Sequence, residues 1–266
     1  MDNQVKVCAL RSGSSGNSIV VSYMGTDVLI DAGICCRAIE RSLAEINLKA
    51  ENLNAVFVTH EHADHIAGVG VMMRRYQVQV YCTPSTWEAM KKNCGRIDEK
   101  LIHLISPGDT VDMGPLAMTG FSTSHDAADP VGYKIDSKRG SLSIMTDSGQ
   151  VSEAMLQSAR GSRAVMIEAN YDPAMLMAGR YPYMLKKRIS GSKGHLSNVD
   201  CADVIIELLK KGTEHFQLAH LSQDNNYPEL AYLTVRQSLE KEGALIGKDL
   251  TLDIARRHKT SQPFYY

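Results

Sequence analysis

The sequence predicts an α/β protein built as a four-layer αββα sandwich, with sheets inside, helices outside and a site at one rim of the two sheets. Three observations predict it. Strand-like runs dominate both ends of the chain, with helical runs interleaved. Short polar loops bearing histidine or aspartate recur where strands end. The 266 residues suffice for one large core and hold no short repeat, so they read as a single domain, 1–266.

The elements follow in order. "VKVCAL" is a strand and "RSGSSGNS" a loop, and "IVVSYM" and "DVLIDAG" pair around the turn "GT". A helix is expected over roughly Cys36 to Ile46, then the strand "NAVFVT". "ADHIAGVGVMMRRYQ" reads as one helix opening on Asp64, followed by the strand "VQVYC" and the helix "PSTWEAMKKNC". "LAMTGFSTSH", "VGYKIDS" and "LSIMTDSG" are strands, "VSEAMLQSAR" a helix and "AVMIEANY" a strand. "LSNVDCADVIIELLKKG" is a helix with a capping box from Ser197 to Asp200. "FQLAHLS" is a strand, "YPELAYLTVRQSLEKEG" a helix and "LTLDIARR" the last strand.

Composition narrows the function classes. No apolar run approaches the ~20 residues of a membrane helix. The opening "MDNQVKVCAL" is acidic where a signal peptide would be basic, so the chain reads as cytoplasmic, with no membrane partner. The six cysteines form no CxxC pair and are expected to be reduced. Net charge is −1, which by itself announces no nucleic acid. Local charge differs: residues 179–195 hold Arg180, Lys186, Lys187, Arg188 and Lys193 and no carboxylate. A basic run is usually a solvated face, and a phosphate-contacting arm is the sharper alternative.

Potential ligands sit at successive strand ends: Asp31 in "VLIDAG", then His60, His62, Asp64 and His65 in "VFVTHEHADH". His125 follows in "TSHDAADPVGY", Asp147 in "SIMTDSG" and His220 in "LAHLSQDNN". Burying such side chains unpaired costs several kcal/mol, and crowded imidazoles need a cation to organise them. His60 and His62 lie two apart, so extended backbone points both the same way, towards one metal. Asp64 and His65 come as the chain turns into a helix, aimed at a neighbouring point. A second metal there would complete a pair ~3.5–4 Å apart, as in two-metal hydrolysis.

"THEHADH", with Asp31, His125, Asp147 and His220 in that order, resembles the metallo-β-lactamase superfamily from about Val5 to Ile254. The resemblance implies that His60, His62 and His125 bind a first metal, that Asp64, His65 and His220 bind a second, and that Asp147 bridges them. It makes Asp31 the carboxylate that orients a ligand histidine and the motif loop. The implied cofactors are two divalent ions, zinc or manganese, with iron compatible. The true β-lactamases carry arginine at the position of His65 and cysteine at that of Asp147, which argues against antibiotic hydrolysis. The flavodiiron branch carries glutamate at the position of His62, so hydrolysis is favoured over redox chemistry.

"LRSGSSGNSIVV", "GSKGHLSN" and "AHLSQDNN" resemble the YycJ-like (WalJ-like) nuclease family. That resemblance implies a dinuclear-metal 5′-to-3′ DNA exonuclease linked to DNA repair, with nucleic acid as partner and DNA favoured over RNA. It makes His195 the general acid, where composition alone would leave an exposed loop histidine. Asp64 would orient the attacking water, and Lys186, Lys187 and Arg188 would hold the strand. Alternatives are an RNA-processing nuclease of the same fold, a glyoxalase II-like thioester hydrolase, and a non-enzymatic scaffold.

"RSGSSGNS" lacks the G-K-[ST] ending of a P-loop and is followed by a strand. It reads as a hairpin turn, and as a nest of amides for phosphate it would use Ser14 and Asn17. His103 is expected in a strand, and His215 and His258 at the surface. Glu168 and Asp172 in "EANYD" are expected to serve structural hydrogen bonding rather than the site.

Overall fold

The structure is a computed structural model that describes residues 4–266. The first three positions, which entered the reading of the N-terminus, lie outside them. Two seven-stranded sheets pack face to face. The first contains β1 (Lys6–Arg11), β2 (Ser18–Tyr23), β3 (Thr26–Ile30), β4 (Ala55–Phe57), β5 (Gln79–Cys82) and β6 (Ile102–Leu104). The second runs from β7 (Thr110–Asp112), β8 (Ala117–Ser122), β9 (Val131–Ser137) and β10 (Gly140–Met145) to β11 (Ala164–Glu168), β12 (His215–Ala219) and β13 (Thr251–Ile254). A final short strand, β14 (Phe264–Tyr265), pairs antiparallel with β1. β13 was expected to be last; the two-residue β14 is too short to show a period.

The apolar alternation of the strands explains the layers. One face of each sheet, including Phe57, Ile30, Met118 and Tyr133, meets the other sheet in a shared core. Phe57 stacks on Tyr81 at 4.6 Å and meets Tyr133 edge-on at 5.4 Å. Burying Phe57 alone contributes about 2–3 kcal/mol. The outer face of the first sheet is covered by α1 (Cys36–Glu45), α2 (Ala63–Ile66), α3 (Val69–Tyr76) and α4 (Pro84–Met90). The outer face of the second is covered by α5 (Glu153–Ala159) and, beyond α6 (Pro173–Ala178) and α7 (Tyr183–Ile189), by α8 (Asn198–Leu209) and α9 (Pro228–Lys241). Helical spacing buries Ala231, Val235 and Leu239 of α9. No helix among the described residues is long and apolar enough to cross a membrane.

Local differences have local reasons. The hairpin turn falls at Met24–Gly25, one residue earlier than expected, with φ of 50° and 83°. Positive φ at both centres matches the right-handed twist of the flanking strands. The helix expected from Asp64 is two, because Gly68 breaks it: its N–H donates to Ala32 O at 2.7 Å. A Cβ there would sit 2.4 Å from Ile34 O, so the chain turns where only glycine fits. Ser197 caps the helix as expected, its Oγ accepting from Asp200 N at 3.1 Å, while Asp200 Oδ2 accepts from Ser197 Oγ at 2.6 Å and not from the backbone N–H of a full capping box. His103 lies in β6, whereas His215 opens β12, half-buried against Thr251.

Strand direction positions the site. β3 and β4 run parallel, and β1 runs with β3 because both are antiparallel to β2. β10 to β13 are parallel, and β8 runs with them because both it and β10 are antiparallel to β9. Asp31, the motif 60–65, His125, Asp147, Glu168 and His220 therefore all follow carboxyl ends of strands, at one rim. The sheets are tied together there: Tyr133 Oη donates to Val58 O at 2.8 Å, and Val131 N to Thr59 O at 3.0 Å.

Candidate metal centre

Three strand ends aim their side chains by an uncommon backbone. Asp31, Asp147 and His220 have φ of 61°, 55° and 52°. Each costs of order 1 kcal/mol, which the surrounding hydrogen bonds must hold in place. Asp31 N donates to Phe57 O at 2.9 Å, and His220 N to Ser12 Oγ at 2.8 Å.

The imidazoles are oriented from behind. Asp31 accepts from Thr59 N and Thr59 Oγ, both at 2.8 Å, and its Oδ2 lies 2.7 Å from His65 Nδ1. Thr59 Oγ in turn accepts from His60 Nδ1 at 2.9 Å. His125 Nδ1 donates to Gly194 O at 2.9 Å, and His220 Nδ1 lies 3.0 Å from Glu168 Oε1. Each bond fixes a ring and a tautomer, leaving Nε2 to face the centre. Asp31 is buried, and its carboxylate bonds Thr59 and His65 behind the cavity wall.

Ligand atoms converge in sets: His60, His62 and His125; Asp64, His65 and His220; and His60, His65 and Asp147. Within each set they lie within 4.8 Å of one another. His220 Nε2 and Asp147 Oδ2 are buried without a hydrogen-bond partner among the described residues. Orphaned buried lone pairs are costly, and a cation is what satisfies an imidazole and a carboxylate together. The donor set therefore fits two divalent ions.

Charge within the cluster is shared. Burial would push Asp147 up, but His220 and His65 hold its carboxyl well below the usual range. Burial works against a proton on His65, yet Asp147 and Asp31 outweigh it and raise the ring to about 9. Burial keeps His60 and His125 low and neutral, ready as ligands. The sign for stability follows. A histidine raised above its unfolded value near ~6.5 stabilises the fold fully below that pH, and the contribution disappears as pH rises through about 9. Chelator-treated protein should therefore melt at lower temperature at pH ~10 than at pH ~6.5. Zinc-loaded protein should not show that drop, because the cation takes over the proton's place. Equal pH profiles with and without metal in calorimetry would refute this assignment.

Glu168 and His195 complete the centre. Glu168, at the end of β11, is fully buried. Its Oε1 lies 2.7 Å from His195 Nδ1 and 3.0 Å from His220 Nδ1, while Oε2 accepts from Ser148 N and Leu196 N. The expectation of plain structural bonding understates it, since two of its partners are site histidines. Its strand-end position was the available signal. Burial opposes charge on Glu168, but His195 and His220 lower it to about 2. Burial disfavours a proton on His195, and Glu168 overrides that and raises it. The loop carrying His195 is held close: a Cβ on Gly149 would sit 2.2 Å from Gly191 O.

The centre opens into a cavity of about 240 Å³ lined by Ser14, Asp64, His195 and Arg188, among others. Asn17 is placed otherwise than expected. It is buried, its Oδ1 accepts from Gly13 N at 2.8 Å, and its Nδ2 lies 3.2 Å from Asp64 Oδ2 and 3.0 Å from His65 Nε2. Its backbone braces the motif, with Asn17 N donating to Asp64 O at 2.8 Å, and its amide faces the ligand atoms. Of the basic run, Arg188 lines the cavity and pairs with Asp126, Lys186 Nζ donates to Met177 O at 2.6 Å, and Lys187 is exposed on α7.

This fold with this site defines a metallo-β-lactamase-type hydrolase centre, and the model of the Beta-lactamase superfamily domain matches residues 26–220. Solved structures agree on the fold: YhfI from Bacillus subtilis superposes with a TM-score of 0.76 at 15% identity, covering 99% of this chain and 100% of that one. Within the superfamily, the chain belongs to the YycJ/WalJ family. It is 39% identical to Exodeoxyribonuclease YycJ of Bacillus anthracis over 242 residues, 90% of each chain. It is 39% identical to Exodeoxyribonuclease WalJ of Streptococcus pneumoniae over 246 residues, 92% of this chain and 91% of that one.

Proposed function

We propose that this chain is a dinuclear-metal phosphodiesterase that degrades DNA from the 5′ end, with DNA favoured over RNA. The observation that carries the reading is the convergence of seven ligand side chains beside a Glu168–His195 pair. The 39% identity to proteins named exodeoxyribonuclease supports the substrate class. His60, His62 and His125 would hold one ion, Asp64, His65 and His220 the other, and Asp147 would lie between them. Zinc and manganese suit these donors, and iron is compatible. When bound, the ions supply charge that neutralises the phosphate and lowers the pKa of the attacking water.

The residues do the rest. Asp64 has a partly exposed carboxylate on the cavity wall and would orient that water. Asp31 holds His65 through Nδ1, and Asn17 N–H on Asp64 O keeps the motif in register. His195 has Nδ1 on Glu168, which leaves Nε2 to protonate the departing 3′ oxygen. Ser14 and Arg188 line the approach and would meet phosphate oxygens, with Lys186 and Lys187 adding field along α7.

The test is digestion of 5′- or 3′-labelled DNA and RNA with zinc or manganese. Wild type should release nucleotides from the 5′ end of DNA faster than from RNA. His195→Ala should lower kcat about 10²- to 10⁴-fold on DNA. It should lower it far less on bis(p-nitrophenyl) phosphate, whose leaving group departs unprotonated. No cleavage by metal-loaded wild type would end the reading. Faster RNA cleavage would move it to RNA processing, and thioester turnover without nuclease activity would move it to the glyoxalase II type.

A further inference from the structure

A second cavity, of about 530 Å³, borders the metal centre. No residue lines both, but the two linings adjoin along the chain. Ser12 and Leu221 line the second cavity, while their near neighbours Ser14, His220 and Ser222 line the first. A hydrogen bond links the two linings, from His220 N to Ser12 Oγ at 2.8 Å. The same strand-direction rule that delivers the ligands builds the cavity: β13 is parallel to β12, so the residues that follow it arrive at the same rim. Those residues are Arg256, Arg257, His258 and Lys259, and all four line the cavity.

Its chemistry is amphipathic. Leu221, Pro228, Ile254 and Ala255 give it an apolar lining, Asn226 a buried polar group, and the basic side chains its charge. Arg257 is built in: its guanidinium donates to Leu221 O, and its Nε is buried without an acceptor among the described residues. Arg256, His258 and Lys259 are exposed, and their side chains make no hydrogen bond or ion pair with the described residues. Unspent cations beside an apolar lining suit a ligand with a flat apolar face and an anionic backbone. A nucleotide of an unpaired strand has both.

We infer that this cavity holds a nucleotide of the single-stranded DNA flanking the bond being cut, its phosphates on Arg256, Arg257 and Lys259 and its base over Leu221 and Ile254. This rests on the nuclease reading, and the experiment separates the two. Zinc- or manganese-loaded wild type, an Arg256→Ala/Lys259→Ala pair and a charge-conserving Arg256→Lys/Lys259→Arg pair are compared. The probe is a fluorescent phosphorothioate single-stranded DNA 12-mer, followed by anisotropy over a salt series, with turnover of bis(p-nitrophenyl) phosphate alongside. The alanine pair should bind about 10-fold more weakly. Its slope of log affinity against log salt should shrink by about 1.4, two contacts at ~0.7 each for a single strand. Turnover of the small probe should not change, and the conserving pair should bind as wild type does. Unchanged affinity and slope, no binding by wild type, a loss that the conserving pair fails to restore, or tighter binding of the RNA counterpart would each overturn the inference. If wild type binds the 12-mer as described yet cleaves no phosphodiester, the nuclease reading fails and the cavity stands.

Discussion

Replacing Asp147 by asparagine should lower metal-dependent kcat/KM by at least about 10³-fold, roughly 4 kcal/mol of transition-state stabilisation. It should also reduce bound metal measured on the purified protein. The carboxylate sits at the centre of the cluster: Oδ1 lies 3.0 Å from His220 Nδ1, and Oδ2 lies 3.5 Å from His65 Nε2 and has no hydrogen-bond partner among the described residues. Asparagine keeps the shape and tolerates the left-handed backbone at φ 55°. It removes the charge that two cations would share. Alanine should lose activity equally and add backbone strain, so the asparagine variant separates lost charge from lost fold. Full turnover with full metal content in a folded asparagine variant would overturn the ligand assignment.

Glu168→Gln should lower kcat on DNA about 10²-fold or more and move the basic limb of its pH profile to lower pH. The sign follows from the dyad. A general acid must be protonated, and activity falls as pH rises past its pKa. Glu168 raises His195, so removing the charge lowers that pKa and the fall begins earlier. Glutamine retains one acceptor for His195 and His220 but turns its NH2 on Ser148 N and Leu196 N, so metal content and melting temperature are measured alongside to separate lost charge from a displaced loop. Turnover of bis(p-nitrophenyl) phosphate should fall much less than turnover of DNA. An unmoved basic limb would show that Glu168 only packs the loop.

Much of the centre is legible one residue at a time. His60, His62, Asp64 and His65 share one short stretch, and their alternation after a buried strand is a local property. Asp31, Asp147 and His220 could be read because each polar side chain follows an apolar run. Glu168 carries the same mark, but its weight is hidden because its partners are distant: His195 lies 27 residues on and His220 lies 52 on. The neighbours of Asn17, serines and glycines, suggest a phosphate nest, and nothing local shows that its amide faces Asp64 and His65, 47 and 48 residues away.

The sequence by itself determined the periods of the strands and helices, the polar residues that end them, and therefore a metal-binding rim of an αββα sandwich. Only the tertiary structure decided which of those ends share a carboxylate, which loop amide is buried, and that the basic residues after β13 open beside the ligands. The physical reason is that hydrophobic period and turn chemistry are encoded within a few residues. Strand order and the meeting of distant loops depend on how whole sheets pair and stack, which no local window contains.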